Sequence, residues 1–340
     1  MISFIIIGRN EGWKLTKCLS GVFKTIHANN LTKFEVIYID SKSTDNSISL
    51  AGSFKNVKIY QLTGDQNAAI ARNTGAIKSD GDVLFFIDGD MEIKQDFLQL
   101  IYSEKDGLKY EFVSGQLENV FYNKAGEIVE KSNYYKFQDD KREEYIVGGI
   151  FAVKRDHWFR IGGMKNYLRR NQDIDFSLRL AQSGLLLLRL KELLAIHNTH
   201  RICDDNGIWK KLLKGDNNYR AVLMRENFLN QYQQKHFFRT NYTLYLLMIC
   251  LLLVFISGNS MLILCYFGLV GLRSISKRKN LLGIPELILY YIIRDINILL
   301  SFFFFWPRKT MNIKVKAISY LENSILNDSE NLVSGYGQAI

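Results

Sequence analysis

The 340-residue chain has little proline and little cysteine: only Pro285 and Pro307, and only Cys18, Cys203, Cys250 and Cys265, with no C-x-x-C spacing. Scattered thiols exclude a disulfide framework and a cysteine zinc site, and they point to a reducing compartment. There is no G-x-G-x-x-G, no phosphate-binding loop, no Ser-His-Asp set, and no zinc-finger or RNP signature. Nucleic acid is therefore not expected as a partner, although the formal net charge is +10. Lys and Arg beside long apolar segments point instead to an anionic membrane surface. Residues 2–7 lack a basic lead and are too short for a signal peptide, so they are read as a first strand.

What is present begins with an alternation of strand and helix. Residues 2–7 are uninterrupted strand sequence save for Ser3. Leu15, Cys18, Leu19, Val22, Phe23 and Ile26 then recur at helical spacing. Residues 34–39, 57–62 and 83–87 predict three more strands. The cap-rich Ser43-Thr44-Asp45-Asn46 predicts a helix start, and residues 67–77 predict an alanine-rich helix. This order implies a doubly wound, mostly parallel α/β sheet. Beyond Met91 the pattern is less regular. A helix is expected at 96–102, with strands at 112–122 and 127–131. A strand over 145–153 is interrupted by Gly148-Gly149, a helix opens at 171, and short strands follow at 185–190 and 195–200.

The last third changes solvent. Residues 201–240 read as a basic, helical juxtamembrane segment. Residues 242–256 and 261–272 are apolar, separated by Ser257-Gly258-Asn259-Ser260. A crossing helix needs roughly 20 apolar residues, so these two short runs predict a tight membrane hairpin over 241–273. Residues 284–306 are apolar except for Arg294 and Asp295 near the centre. Keeping the basic clusters at 273–279 and 308–316 on one side makes 274–320 a basic loop followed by a re-entrant or interfacial segment. Residues 321–340 are expected to be a flexible tail.

The chemistry is expected where the fourth strand runs into Asp88-Gly89-Asp90. Side chains two apart on a strand point the same way, and open α/β sheets bind ligands outside the carboxyl ends of their strands. Two hard oxygen donors there suit a divalent cation (Mg or Mn) carrying a diphosphate. Taken alone, the triplet reads first as a solvated turn, and only its context makes it a site.

Three other strand-end motifs supply the context: Ile7-Gly8-Arg9-Asn10-Glu11, Tyr38-Ile39-Asp40-Ser41-Lys42-Ser43-Thr44-Asp45 and Ala71-Arg72-Asn73-Thr74-Gly75. With Phe86-Ile87-Asp88-Gly89-Asp90, their order and spacing resemble an inverting family 2 glycosyltransferase with the GT-A fold. The likeness continues more loosely to about His200. The membrane tail resembles that of enzymes building bacterial surface polysaccharides or other lipid-linked glycans.

The resemblance implies a GT-A catalytic domain over residues 1–200 and a nucleotide-diphosphate sugar as donor, a UDP-sugar first. It implies Asp40 on the base, with Asn10, Glu11 and Ser41 lining the nucleotide pocket. Asp88 is expected on the ribose or the cation, Asp90 on the cation, and Arg72 on the diphosphate as a charge-assisted donor. An inverting transfer needs a general base for the acceptor hydroxyl. The family's Glu-Asp pair stands here as Gln172-Asp173, which leaves Asp173 as that base.

Gly148, Gly149 and Gln172 are expected on the acceptor side. Asp175 either joins them or pairs with Arg179 four residues on. His197 or His200 completes the cation site or is structural, and Trp158 stacks on a sugar or packs in the core. The acceptor is expected to be a polyprenyl-linked glycan, met at the cytoplasmic face of the cell membrane. The alternative acceptor is polyprenyl phosphate itself. More distant readings are a nucleotidyltransferase, whose glycine-rich, lysine-containing loop is missing after strand one, and a non-catalytic scaffold, which would not need Asp88, Asp90 and Asp173 intact.

Overall fold

Strand β1 (Ile2–Gly8) is buried from Ile2 to Ile7. Because side chains on a strand alternate faces, Phe4 and Ile6 join one core and Ile5 and Ile7 the other. The first core is filled by Leu15, Cys18, Leu19 and Val22 of α1 (Trp13–Ala28). The second is filled by Ala69, Ile70, Ala71 and Ala76 of α3 (Ala68–Lys78). Strands buried on both faces need apolar residues at every position, which is why residues 2–7 and 83–87 show no alternation. α3 lies close to β1 because Gly75 has no side chain: a Cβ there would sit 2.2 Å from Ile5 Cγ2.

The structure is a computed structural model that describes residues 1–123, 125–135, 137, 139–200, 209, 212, 215–277, 283–321, 324–327 and 331–332. It divides into two units, Met1–Arg201 with Arg308–Ile340, and Ile202–Pro307.

In the first unit, β2 (Phe34–Asp40), α2 (Ser47–Gly52), β3 (Val57–Leu62), α3 and β4 (Val83–Asp88) follow α1 in sequence. The order β3-β2-β1-β4 is parallel throughout, as helical crossovers require. Beyond β5 (Met91–Ile93) come α4 (Leu98–Ile101), β6 (Tyr102–Ser103), β7 (Gly107–Leu108), β8 (Phe112–Tyr122), β9 (Ile128–Asn133), β10 (Lys141–Glu144) and β11 (Phe151–Lys154). After these come α5 (Arg155–Arg160), α6 (Gln172–Gln182) and β12 (Leu187–His200). These later strands extend the sheet beyond β4 in the order β11-β8-β12-β10. Apart from the parallel pair β8–β12, they pair antiparallel, so the whole sheet is mixed.

Three expectations change. Residues 145–150 are loop between β10 and β11 instead of the start of one strand, because Gly149 is drawn against Asp88. The two short strands at 185–190 and 195–200 are one strand, β12, whose register against β8 shifts on either side of Leu193. The segment after Pro307 returns to the first unit. There β13 (Lys314–Leu321) pairs antiparallel with β3, β14 (Ser324–Asn327) and β15 (Asn331–Leu332) pair with β13, and the free edge of β3 is thereby covered.

The second unit holds α7 (Asp216–Glu226), α8 (Gln231–Ser257), a 3-10 turn (Ser260–Leu262), α9 (Ile263–Lys277) and α10 (Ile284–Phe304). Residues 201–208, the start of the expected juxtamembrane helix, lie outside the described residues. The backbone leaves helical geometry at Asn241, where the polar part of α8 meets the apolar part. Asn259 caps the return turn by accepting from Met261 N–H at 3.0 Å. By length and composition, Gln231–Ser257, Ser260–Lys277 and Ile284–Phe304 can each cross a membrane. Leu247, Cys250, Tyr266, Val270, Leu287 and Tyr291 pack inside, while Leu252, Phe255, Leu264 and Phe303 are exposed.

Candidate active site

Gly8, Asp40 and Asp88 end their strands at one level, since Gly8 is in register with Asp40 and Ile7 with Asp88. The loops that follow share one edge of the sheet and line a cleft of about 290 Å³ with Arg9, Glu11, Ser41, Gln66, Asp88 and Asp90. A larger cavity of about 440 Å³ lies between α3 and the segments 162–167 and 309–313. It is lined by none of these acids, so size does not mark the site.

The nucleotide-side residues form a connected rim. Asn10, in left-handed backbone geometry at φ 56, donates its N–H to Ser43 Oγ at 2.9 Å and accepts from Thr44 N–H at 2.7 Å. Ser47 Oγ accepts from both Glu11 and Gly12 N–H at 3.0 Å. Burial pushes the Glu11 carboxyl up, against the pull of its bond to Lys14. Asp40 is fully buried. It accepts from Tyr38 OH at 3.1 Å, Ser43 N–H at 2.9 Å and Gln61 Nε2 at 3.1 Å. Its carboxylate thus ties down the 41–43 loop. Ser41, at the cleft wall, donates its N–H to Gly8 O at 2.9 Å.

At the floor, Arg72 Nη2 donates to Asp88 Oδ1 at 2.5 Å and to Gly149 O at 3.3 Å. Arg72 is buried and Asp88 is one-third exposed, with side-chain exposures of 3% and 33%. A Cβ on Gly149 would fall 1.9 Å from Asp88 Oδ2, so the glycine is what admits the carboxylate. Burial pushes Asp88 up to about 6, Arg72 opposes this, and the charges of Asp90 and Asp173 add to it. Asp173 stands in the first turn of α6. Burial raises its carboxyl as well, opposed by Arg72 and by backbone N–H groups at the helix start. Arg72 therefore acts on both acids.

Asp90 faces β12. Its carbonyl accepts from Asn198 N–H at 2.9 Å, and its Oδ2 lies 3.1 Å from His197 Nε2. His197 Nδ1 is 2.9 Å from Oδ1 of Asn119, its register partner on β8, and this contact turns Nε2 towards Asp90. Burial disfavours the imidazolium, but the hydrogen bond and charge of Asp90, with the charge of Asp88, outweigh it and raise His197 above its usual range. His200, an odd number of residues along the same strand, points to the other face and is exposed.

Carboxylate and imidazole in contact suit a shared divalent cation. Among the described residues no three His, Cys, Asp or Glu side chains form a set that holds an ion unaided. Such a cation would need substrate phosphates and water as its other ligands, the usual habit of Mg²⁺.

The remaining residues divide between site and support. Asp175 is fully buried. It takes Lys165 Nζ at 2.9 Å and Arg179 Nε at 2.8 Å, and Arg179 also donates to Ile161 O and Gly163 O. Asp175 thus anchors α6. Gln172 precedes Asp173 with its Oε1 buried and without a hydrogen-bond partner. Trp158 packs in the core against Phe86 and Phe176. Gly148 lies beneath Tyr135, whose OH would be 3.4 Å from a Cβ there.

Sequence reasoning did not single out Asn119, Gln61, Tyr135 or Arg189. Arg189 is buried under the Tyr135 ring at 3.6 Å. It donates to Glu144 Oε2 at 2.8 Å and Ile146 O at 3.4 Å, which holds the loop leading to Gly148-Gly149. Each of these contacts joins segments distant in the chain and leaves no local spacing to read.

Residues 3–171 match the family model described as glycosyl transferase family 2. The chain is 28% identical over 206 residues to glycosyltransferase AglE of Haloferax volcanii, covering 58% of this chain and 66% of that protein. It is 25% identical over 160 residues to glycosyltransferase GlyG of Streptococcus pneumoniae, covering 45% and 46%. The chain thus spans less than two thirds of the length of either relative. In structure it is similar to mannosyltransferase PcManGT from Pyrobaculum calidifontis, solved with GDP-Man and Mn²⁺. The TM-score is 0.56 at 14% identity, covering 88% of this chain and 86% of that one, a likeness of fold.

Proposed function

We propose that the chain, whose residues 3–171 match the glycosyl transferase family 2 model, moves a sugar from a nucleotide diphosphate to a lipid-linked hydroxyl acceptor with inversion. One observation carries this reading: Asp88, at the floor of a cleft walled by the loops after β1, β2 and β4, is held by the buried Arg72, which also donates to Gly149 O. Asp90 and His197 flank that floor, and Asp173 is coupled to it through charge.

Asn10, Glu11 and Ser41 form the nucleotide wall, and Asp40 keeps its loop in place. Asp90 and His197 would hold a Mg²⁺ or Mn²⁺ ion, which when bound supplies Lewis-acid stabilisation of the departing diphosphate. Asp173 takes the proton of the acceptor hydroxyl as its oxygen bonds to the anomeric carbon, and the bond to the diphosphate breaks on the opposite face. Arg72 favours the ionised form of Asp173 that this step requires. Gly148, Gly149 and Gln172 border the acceptor. A UDP-sugar is the first donor to try, and a polyprenyl-linked glycan the first acceptor.

We read the catalytic unit as lying at the cytoplasmic face, from the Lys/Arg-rich flanks of the apolar helices. β13 belongs to the same unit as β1–β12. Between them the chain must therefore cross the membrane an even number of times. The hairpin α8–α9 supplies two crossings, and α10 is the helix that does not cross.

The test is a screen of nucleotide sugars with the full chain, comparing polyprenyl phosphate with a polyprenyl-linked saccharide as acceptor. Asp173→Asn is expected to keep nucleotide binding and to slow transfer by about 10²- to 10⁴-fold, the range for a general base. Transfer at the wild-type rate by that variant would remove Asp173 from the reaction.

A further inference from the structure

The second unit buries two arginines and one aspartate among apolar helices: Arg273 at 8% exposure, Arg294 at 3% and Asp295 at 0%. Arg294 is neutralised, since its Nε lies 2.9 Å and its Nη2 2.5 Å from Asp295 Oδ1. Tyr266 OH donates to the other oxygen of that carboxylate at 3.3 Å. Among the described residues Arg273 has no carboxylate partner. Its Nη1 donates to Thr243 Oγ1 at 3.2 Å and its Nη2 to Thr240 O at 2.7 Å. Its Nε is buried without a hydrogen-bond partner. Arg294 Nη2 reaches the same Thr243 Oγ1 at 3.0 Å. Two guanidinium groups thus converge on one neutral hydroxyl, and among the described residues one carboxylate serves both.

A buried charge without a counter-charge is costly, and polybasic groups among apolar helices ordinarily mark a ligand path or an ion pair. The faces of Tyr242 and Tyr291, 4.5 and 4.3 Å from the Arg273 guanidinium carbon, offset part of that cost. They add no hydrogen-bond acceptor for Nε. The chemistry that would serve both guanidinium groups is an anion with several oxygens.

Position identifies its source. Arg273 stands near the C-terminal end of α9, before Lys277, and its neighbours Leu272 and Ile275 are 66% and 57% exposed. An anion arriving there meets an apolar surround, which suits a phosphate attached to acyl chains and not one free in water. We propose that Arg273, backed by Arg294, binds the phosphate of an anionic membrane lipid. This inference is independent of the transfer reaction, because it concerns occupancy of the helical unit and is read without turnover.

The experiment is native mass spectrometry of the full chain released from detergent after incubation with phosphatidic acid, phosphatidylcholine or inorganic phosphate. Wild type is expected to retain one phosphatidic acid in preference to phosphatidylcholine. Arg273→Gln should lower that retention by about tenfold, the weight of one charge-assisted hydrogen-bonded contact. Asp295→Asn removes the one negative charge and should raise retention. That direction separates the proposal from a purely structural role and remains readable if Arg273→Gln folds poorly. Equal retention by wild type and Asp295→Asn would overturn the proposal, as would displacement of the lipid by inorganic phosphate at equal concentration.

Discussion

Asp88 shows how a single residue is prepared by what surrounds it. It is held by an arginine on α3 and overlaid by the backbone of Gly149, which leaves no room for even one more carbon. Gly149→Ala would push the carboxylate off Arg72. Overpacking of this kind costs about 1–3 kcal/mol in stability. Displacing a reacting or positioning group by about 1 Å costs roughly 100-fold in rate. The expected outcome is a variant with a modestly lower melting temperature, weakened nucleotide binding and a far larger loss of transfer, measured by calorimetry and kinetics on the same preparation. Normal transfer would mean that Asp88 has freedom the close contact denies it. The acids themselves were legible in the sequence, because they follow strand ends at motif spacing. Their mutual contacts were not: Gly149 stands 77 residues from Arg72, and Asn119 stands 78 from His197.

Between elements, Glu35 is the tie that squares the parallel sheet. From β2 it accepts from Ser3 Oγ of β1 at 2.6 Å, from Asp80 N–H before β4 at 2.6 Å, and from Lys58 Nζ of β3 at 2.7 Å. Burial alone would raise its carboxyl, but these donors outweigh burial and lower it below the ordinary 4.5. A carboxyl depressed in the folded state stabilises the fold above its unfolded value and loses that contribution as pH falls through the folded one. The stability of wild type should therefore fall as pH drops below about 4.5. Glu35→Ala should cost about 1–3 kcal/mol at neutral pH, since it strands the buried hydroxyl of Ser3 and removes the ion pair to Lys58. The gap between the two proteins should narrow in acid, as followed by chemical unfolding across pH. A gap independent of pH would assign the effect to packing and not to the charge.

The elements from 2 to 91 are readable because each is local: apolar runs for strands, helical spacing for α1, an alanine-rich run for α3. Those beyond Met91 were read less well. Local signals break β12 at its bulge and make 145–150 a strand, because long-range pairing and the close approach of Gly149 to Asp88 shape these segments more than propensity does.

At the scale of the whole molecule, the pairing of β13 with β3 sets a parity rule. Three helices are long enough to cross a membrane, yet the segments before and after them share one sheet. In sealed vesicles, cysteines introduced by Asn259→Cys and Lys309→Cys, in a background lacking the native thiols, should label from opposite sides with an impermeant maleimide. The Lys309 position should be accessible from the same side as an N-terminal tag. Labelling of Lys309 and the tag from opposite sides would rule out the even count and make α10 a third crossing.

The sequence by itself determined the α/β alternation, the strand ends that carry Asp40 and Asp88 with Asp90 in the turn that follows, the acid at the start of α6, and the apolar hairpin with its polar break. All of these are set by spacings within a few turns or a single strand, where periodicity and capping act directly. Only the tertiary structure decided which histidine faces Asp90, that Arg72 joins Asp88 to Gly149, and that the chain returns after Pro307 to cover β3. These depend on pairings between segments tens to hundreds of residues apart. Such pairings are chosen by the packing of the whole sheet, and no local spacing encodes them.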